Sequence, residues 1–383
     1  MTGPLSGYRV VDLSINVLGG LATQHLGDMG ADIIKVEAPG GDPMRELGPQ
    51  HATGMSCYFV SINRNKRSIV LNLKNPDDRE ILYDLARTSD VIFHNMRDAA
   101  ARRLKIDYAT ISEINPKIVY AAASGFRKGG KYEDRPAFDD VIQGESGIAA
   151  MIGRANGEPR YMPMAVCDKL SGLATASAIS LALLHRERTG RGQEVHLPMY
   201  ELMLSFNLVD HMWNATFGEP EKGVGYPRMF TPHRRPLATK DGHICLLAHI
   251  DEQWRRLFEA IGQPKLIDDP RFSNLAQRTL NIDALYGIVA EEMKKKTTAE
   301  WIQRLTEADI PVGPVNTLED LISDPYLAET GFFQHREHPV AGPITMLGIA
   351  ESFSDSPASI RSLPPMLGEH TNEILRELGR PLR

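Results

Sequence analysis

The chain has 383 residues, 42% of them hydrophobic, with 43 Lys and Arg against 49 Asp and Glu and a formal charge of −6 at pH 7. That length can bury a sizeable core and points to two structural units, while the acidic balance argues against a nucleic-acid partner, whose phosphates call for a basic surface. Three scattered cysteines, Cys57, Cys167 and Cys245, form neither a metal-binding spacing nor a disulfide framework.

The N-terminal stretch lacks the basic-then-apolar layout of a signal peptide, and no apolar run approaches a membrane span. The expectation is a soluble cytoplasmic protein with no metal site and no membrane or nucleic-acid partner.

In chain order, a strand is predicted over residues 8–13, a helix over 18–29 opened by Gly19-Gly20, and a strand over 31–37 ending before Pro39-Gly40-Gly41. This is one βαβ unit of the parallel type. The alternation continues with strands at 67–73, 90–94 and 118–124 and helices at 76–88, 99–104 and 108–115. It predicts a doubly wound α/β domain with a parallel sheet and ligands at the strand C-termini. A charged, Gly-rich loop at 127–135, a helix at 139–152, a long Ala/Leu-rich helix at 168–188, a strand at 193–197 and a helix at 199–217 follow. Thr189-Gly190-Arg191-Gly192 closes the long helix as glycine is expected to.

Residues 218–236 are rich in Gly, Pro and Arg without apolar periodicity, and read as a linker. A smaller α+β domain is expected over 237–318, with a strand at 244–248 and helices at 251–261, 280–295 and 298–307. The large domain then comprises 1–217 and 319–383, ending in a helix that restarts at 318–323, loops, and a short helix at 371–378.

Asp168 stands where an apolar stretch gives way to the long helix. Two readings fit: an ordinary helix cap, or a nucleophilic carboxylate kept ionised by the exposed amides and positive end of the helix. The first βα turn, Ser14-Ile-Asn-Val-Leu-Gly-Gly, lacks the Gly-x-Gly-x-x-Gly fingerprint, although Glu37 at the end of the second strand keeps a dinucleotide enzyme open. Neither a P-loop nor a Gly-x-Ser-x-Gly elbow occurs.

Cations gather around the predicted ligand edge: Arg64, Lys66 and Arg67 before one strand, Lys74 after it, and Arg97, Arg102 and Arg103 after the next. Together they are suited to gripping the phosphates of a nucleotide-like ligand. Cys167 has no neighbouring His and reads as packing, and His335 and His338 read as loop surface.

Six segments, in order, resemble the family III CoA-transferases, which include formyl-CoA transferase, carnitine CoA-transferase and the alpha-methylacyl-CoA racemases. They are Leu5-Ser-Gly-Tyr-Arg-Val-Val-Asp-Leu, Leu26-Gly-Asp-Met-Gly-Ala-Asp-Ile-Ile-Lys-Val-Glu, Asn63-Arg-Asn-Lys-Arg-Ser-Ile-Val-Leu-Asn-Leu-Lys, Arg188-Thr-Gly-Arg-Gly-Gln, Ile310-Pro-Val-Gly-Pro-Val and Leu367-Gly-Glu-His-Thr. The resemblance implies that Asp168, in Cys-Asp-Lys-Leu-Ser-Gly, is the covalent nucleophile. It also implies that Val17, Leu18, the segment Leu71, Asn72, Leu73 and Lys74, and Asn95, Met96, Arg97 and Arg103 hold coenzyme A.

It further implies CoA transfer from an acyl-CoA donor to a carboxylic acid, CoA entering as substrate rather than as a resident cofactor, and an interlocked homodimer. Departures from the family pattern include Leu18-Gly19-Gly20 after the first strand, Ala38 where an Arg contacts CoA in formyl-CoA transferase, and His94-Asn95-Met96 in place of Glu-Asn-Phe. Racemases of this kind carry a Gly-His-Asp segment where this chain has Ala137-Phe138-Asp139, and Phe138 cannot move a proton. A racemase or epimerase and a non-catalytic CoA-binding protein stay open as alternatives.

Oxyanion donors are expected at the Lys169 amide or in the loop Gly223-Val-Gly. Arg228, Arg234 and Arg235 are candidates to clamp an acceptor carboxylate, and a small dicarboxylate or hydroxy acid, with succinyl-CoA as donor, is the expected substrate pair.

Overall fold

The computed structural model describes residues 3–383. It contains two compact units, Met1–Gly147 with Tyr161–Phe206 and Ala328–Arg383, and Ile148–Arg160 with Asn207–Leu327.

In the first unit, β1 (Arg9–Asp12), β2 (Asp32–Glu37), β3 (Lys66–Val70), β4 (Val91–His94), β5 (Val119–Ser124) and β6 (Gln193–Pro198) pair in the order β3-β2-β1-β4-β5-β6. Every pairing is parallel. Runs such as Val10-Val11, Ile33-Ile34 and Val91-Ile92-Phe93 are buried, as strands covered on both faces require. Strand order reverses between β1 and β4, so the crevice beyond their C-termini is the topological switch point where this architecture binds ligands.

The helices, in chain order, are α1 (Asn16–Asp28), α2 (Cys57–Ile62), α3 (Pro76–Arg87), α4 (Asp98–Leu104), α5 (Tyr108–Ile114), α6 (Asp139–Glu145), α7 (Ile148–Asn156), α8 (Val166–Thr189) and α9 (Met199–His211). α1 and α8 lie side by side, and Gly172 makes their approach close. A Cβ at Gly172 would stand 2.8 Å from the Leu18 carbonyl oxygen. Gly19 has a similar role, since a Cβ there would collide with the Ser14 side chain. These two glycines set the start of α8 beside the loop that leads from β1 into α1.

The predicted helix at 139–152 is broken into α6 and α7 at Ser146-Gly147, where Gly147 takes φ 89°. The helix predicted over 199–217 stops at His211, and Trp213 adopts φ 46°. Residues expected as loops near the chain end form an antiparallel hairpin, β10 (Phe333–His338) and β11 (Gly342–Leu347).

His338 is therefore not loop surface. It is buried, accepts the Val340 and Ala341 amides at Nδ1, and places Nε2 3.0 Å from the Pro364 carbonyl. The expectation that no apolar run reaches membrane-span length also needs correction, because α8 does so by length and composition; 44% of its apolar window is buried in the fold.

The second unit adds the short helices α10 (Pro227–Phe230) and α12 (Leu275–Leu280) and packs α11 (Asp251–Ala260), α13 (Ile282–Met293) and α14 (Thr298–Glu307) on a three-stranded antiparallel sheet. That sheet is β7 (Leu237–Ala238), β8 (His243–Leu246) and β9 (Val312–Pro314). Its core is Trp254, Leu257, Phe258, Leu285, Met293 and Trp301. The Trp301 indole donates to the Met293 carbonyl at 2.7 Å, so a large aromatic is buried without an orphaned N–H. Thr297 and Glu300 form a reciprocal capping box at the start of α14.

Candidate active site

Asp168 is the third residue of α8, not its cap; the capping position is Ala165, which offers no side-chain bond. The first-turn amides are satisfied from elsewhere. Val166 donates to the Met164 carbonyl at 2.8 Å, and the Asp168 amide donates to Asp139 Oδ1 at 2.9 Å. Asp139 itself opens α6 and is buried. Its other oxygen accepts Gln143 Nε2 at 2.6 Å, while Gln143 Oε1 accepts the Met162 amide at 2.8 Å. Asp139 and Gln143 thus brace the segment that runs into α8, and Asp139 caps a helix that its own sequence neighbours do not.

This arrangement changes the charge state expected for Asp168. Exposed amides at a helix start were expected to keep the carboxylate ionised. Burial, reinforced by the negative charge of Asp139, instead pushes its pKa up to about 7. Burial also raises the neighbouring Cys167 thiol to about 12, so it stays protonated and packed.

The Lys169 amide is committed to the Ala165 carbonyl at 3.1 Å and cannot serve as the expected oxyanion donor. The Gly223 and Gly225 amides are likewise committed, to the Pro220 and His211 carbonyls. Among the described residues, the Cys167 amide is the first-turn donor of α8 left unengaged.

The residues expected to hold CoA lie at the C-terminal ends of β1, β3 and β4 or just beyond them. Val17 and Leu18 open α1 after β1, Leu71 to Lys74 follow β3, Asn95 to Arg97 follow β4, and Arg103 lies on α4. Their side chains divide by role. Val17, Leu18 and Leu71 are buried, and Leu73 and Met96 pack against the core, so they shape the edge through backbone and bulk. Asn72 is exposed, its amide donating to Asp78 Oδ2 and its Oδ1 accepting the Lys74 amide. Lys74 and Arg103 are exposed and free of ion pairs among the described residues, and Arg97 donates to the Asp134 carbonyl at 3.2 Å.

Asn95 does something sequence could not show. Its Oδ1 accepts the Ile15 amide at 3.0 Å and its Nδ2 donates to the Ile15 carbonyl at 2.7 Å, clamping the β1 and β4 loops together across the switch point. Next to it, Asn16 holds a left-handed φ of 65°, a strained backbone of the kind that collects at binding sites.

The predicted basic cluster splits in two. Arg64 pairs with Asp28 at 2.8 Å, and Arg67 with Asp32, Glu373 and Glu377. Lys66 is buried, donating to the Gly20 carbonyl and Asn63 Oδ1. Arg64 precedes β3 and Lys66 and Arg67 open it, and all three are committed to partners within the scaffold and not free for phosphate binding.

Glu37, weighed as a ribose ligand, is held by Arg45 through both oxygens at 2.7 Å and by Ser68. Beneath the β1 loop, Asp12, Lys35, Asp42 and Lys66 form a buried charge network, with Lys35 2.9 Å from Asp42 and donating to the Ser14 carbonyl. Burial opposes the charge on Asp12, yet Lys35, Lys66 and the Ser14 and Thr23 hydroxyls outweigh it and hold the carboxyl below its usual range.

His94 is also structural. Burial pushes its pKa down to about 4. Its Nδ1 accepts the Met96 amide, which puts the proton on Nε2, facing Tyr120 Oη at 2.6 Å; Tyr120 in turn donates to the Ile106 carbonyl. Neither Asp139 with Gln143 nor the Asn95 clamp was found by sequence reasoning. Their only signal was a pair of polar residues four apart at a helix start, and an Asn after a strand.

Residues 5–371 match the family model for CoA-transferase family III. The succinyl-CoA:glutarate CoA-transferase of Mus musculus is 32% identical over 98% of this chain and 87% of its own length. The succinyl-CoA–L-malate CoA-transferase beta subunit of Chloroflexus aurantiacus is 32% identical over 98% of this chain and 94% of its own. Among solved structures, a CAIB/BAIF family protein from Brucella suis superposes with a TM-score of 0.80 at 30% identity, over 99% of this chain and 100% of that one.

Proposed function

The chain belongs to CoA-transferase family III, and on that premise we propose that it moves CoA from an acyl-CoA to a small dicarboxylic or hydroxydicarboxylic acid through a covalent intermediate on Asp168. The observation that carries the reading is the Asp168 carboxyl at the start of α8, with a pKa raised to about 7. A carboxylate of raised basicity is a stronger nucleophile that is still ionised in a useful fraction near neutrality. The choice of acid is supported by the glutarate and malate activities in the names of the relatives.

In the proposed cycle an Asp168 oxygen attacks the thioester carbonyl, the C–S bond breaks, and CoA thiolate leaves an acyl-aspartyl anhydride. The thiolate then attacks the aspartyl carbonyl, expelling the donor carboxylate and leaving an aspartyl-CoA thioester. The acceptor carboxylate attacks that thioester and releases thiolate again. Attack of the thiolate on the acceptor acyl carbon forms the new acyl-CoA and restores Asp168. Each intermediate has an energy close to that of the thioester, which is what an exchange with little net driving force needs.

Coenzyme A is substrate here, its charged groups meeting Lys74 and Arg103 and its approach framed by the loops that Asn95 ties together.

Phe138 favours transfer over racemisation: it precedes α6 with 68% of its surface exposed and carries no transferable proton. We further propose an interlocked homodimer in the cytoplasm. Leu173, Leu181 and Leu184 of α8 remain exposed, an apolar surface that pairing would bury, and the cysteines are free thiols.

The test is to incubate the protein with succinyl-CoA, trap with hydroxylamine and map the modified residue. Hydroxamate at Asp168, together with glutarate- or malate-dependent acyl exchange, is expected. Modification elsewhere, or exchange undiminished in Asp168→Asn, overturns the assignment, and deuterium wash-in at the acyl α-carbon would favour the racemase.

A further inference from the structure

The second unit contains a cavity of about 280 Å³, and neither Asp168 nor the residues expected to hold CoA line it. That is room for a small organic molecule. One side is apolar: Trp254 and Tyr286 stack with centroids 6.3 Å apart at 23°, alongside Leu246, Leu247 and Val289. The other carries His233, Arg234 and Arg235, and no carboxylate lines the cavity.

His233 has a nearby anion, Asp283, at 3.9 Å. Arg234 and Arg235 have neither an ion pair nor a side-chain hydrogen bond among the described residues, and both are exposed. Tyr286 Oη accepts from Arg228 at 2.8 Å, so its own proton remains available for a further acceptor.

A pocket with a stacked aromatic wall, aliphatic neighbours and two unpaired guanidinium groups suits an anion that carries an apolar body. We infer that this cavity binds a monocarboxylate with an aliphatic or aromatic body, its carboxylate between Arg234 and Arg235 and its body against Trp254 and Tyr286. A short dicarboxylate fits poorly, because its second charge would be desolvated against the apolar wall. The site is complete within one unit and does not rest on the role of Asp168.

Cys245 lines the cavity and is an exposed thiol, which supplies the readout. In a Cys57→Ser background, which removes the other exposed thiol, the rate of maleimide modification of Cys245 is followed with hexanoate, phenylacetate, hexanamide and glutarate. Hexanoate or phenylacetate is expected to slow labelling at least threefold, saturably, and more strongly than hexanamide or glutarate. The protection should disappear in Arg234→Gln/Arg235→Gln and persist in Asp168→Asn.

Both arginines are exposed and unpaired, so that double variant should keep the parental circular dichroism. No protection, equal protection by the amide, stronger protection by glutarate, survival in the double variant or loss in Asp168→Asn each overturns the inference.

Discussion

The backbone amide of Asp168 donates to Asp139 Oδ1 at 2.9 Å, so the same carboxylate that caps the start of α8 also places a negative charge beside the Asp168 side chain. One residue therefore positions the helix and adjusts its first acidic group. Burial is the larger cause of the raised pKa, with Asp139 second.

Asp139→Asn tests this second contribution. Removing the charge should lower the Asp168 pKa, and the acidic limb of the kcat profile should move down by about one pH unit. The new amide can still accept the Asp168 N–H, although its Nδ2 would face the Gln143 amide, so a loss of stability should accompany the shift. A pH–rate profile that does not move would show that burial alone sets the carboxyl.

The raised pKa also predicts a pH-dependent stability. Asp168 has a folded pKa of about 7 against 3.8 for an unperturbed aspartate, so between those values the native state holds the proton more tightly. Its contribution to stability must fall as pH rises through this window. Asp168→Asn should therefore unfold a few degrees higher than wild type at pH 8, with a smaller difference at pH 5, while exchange activity drops on the order of 10⁴-fold. Thermal melts at the two pH values and a steady-state assay read both effects.

The division of the basic cluster gives opposite phenotypes. Lys74→Ala and Arg103→Ala should raise the KM for acyl-CoA several-fold, weaken its salt dependence and leave the melting temperature nearly unchanged, since both side chains are exposed. Arg64→Ala should destabilise by about 3–5 kcal/mol, because it strands the buried carboxylate of Asp28. Kinetics and melts on the three variants separate the groups.

The two structural clamps can be distinguished in the same way. Gly172→Ala forces a methyl toward the Leu18 carbonyl and should cost about 1–3 kcal/mol. Asn95→Ala releases the Ile15 loop at the rim of the crevice and should raise the KM for acyl-CoA about tenfold with a smaller change in kcat. A fall in kcat with KM unchanged would place Asn95 in the chemical step instead.

Much of this protein was legible in the chain itself. The alternation of short β-branched runs with helical patterns specified a parallel doubly wound sheet, because each pattern buries its apolar residues in only one way, and the structure has that sheet in the order β3-β2-β1-β4-β5-β6. The boundary of α14 was read without error from Thr298 to Glu307, where a capping box and strong periodicity agree. The hairpin β10–β11 was missed because β10 is mostly polar and β11 begins with Gly-Pro, leaving little sustained hydrophobic alternation to detect.

What tertiary structure alone decided is which charges meet. Lys66 and Lys74 are eight residues apart and look alike in sequence, yet one is buried beside Asp12 and the other faces solvent beyond the strand end. Asp168 was visible as an acid at a helix start, but its charge state depends on burial and on Asp139, which is 29 residues away in the chain. Local sequence fixes periodicity and local caps such as Thr297; desolvation and long-range pairing set a carboxyl's pKa, and those exist only once the chain has folded.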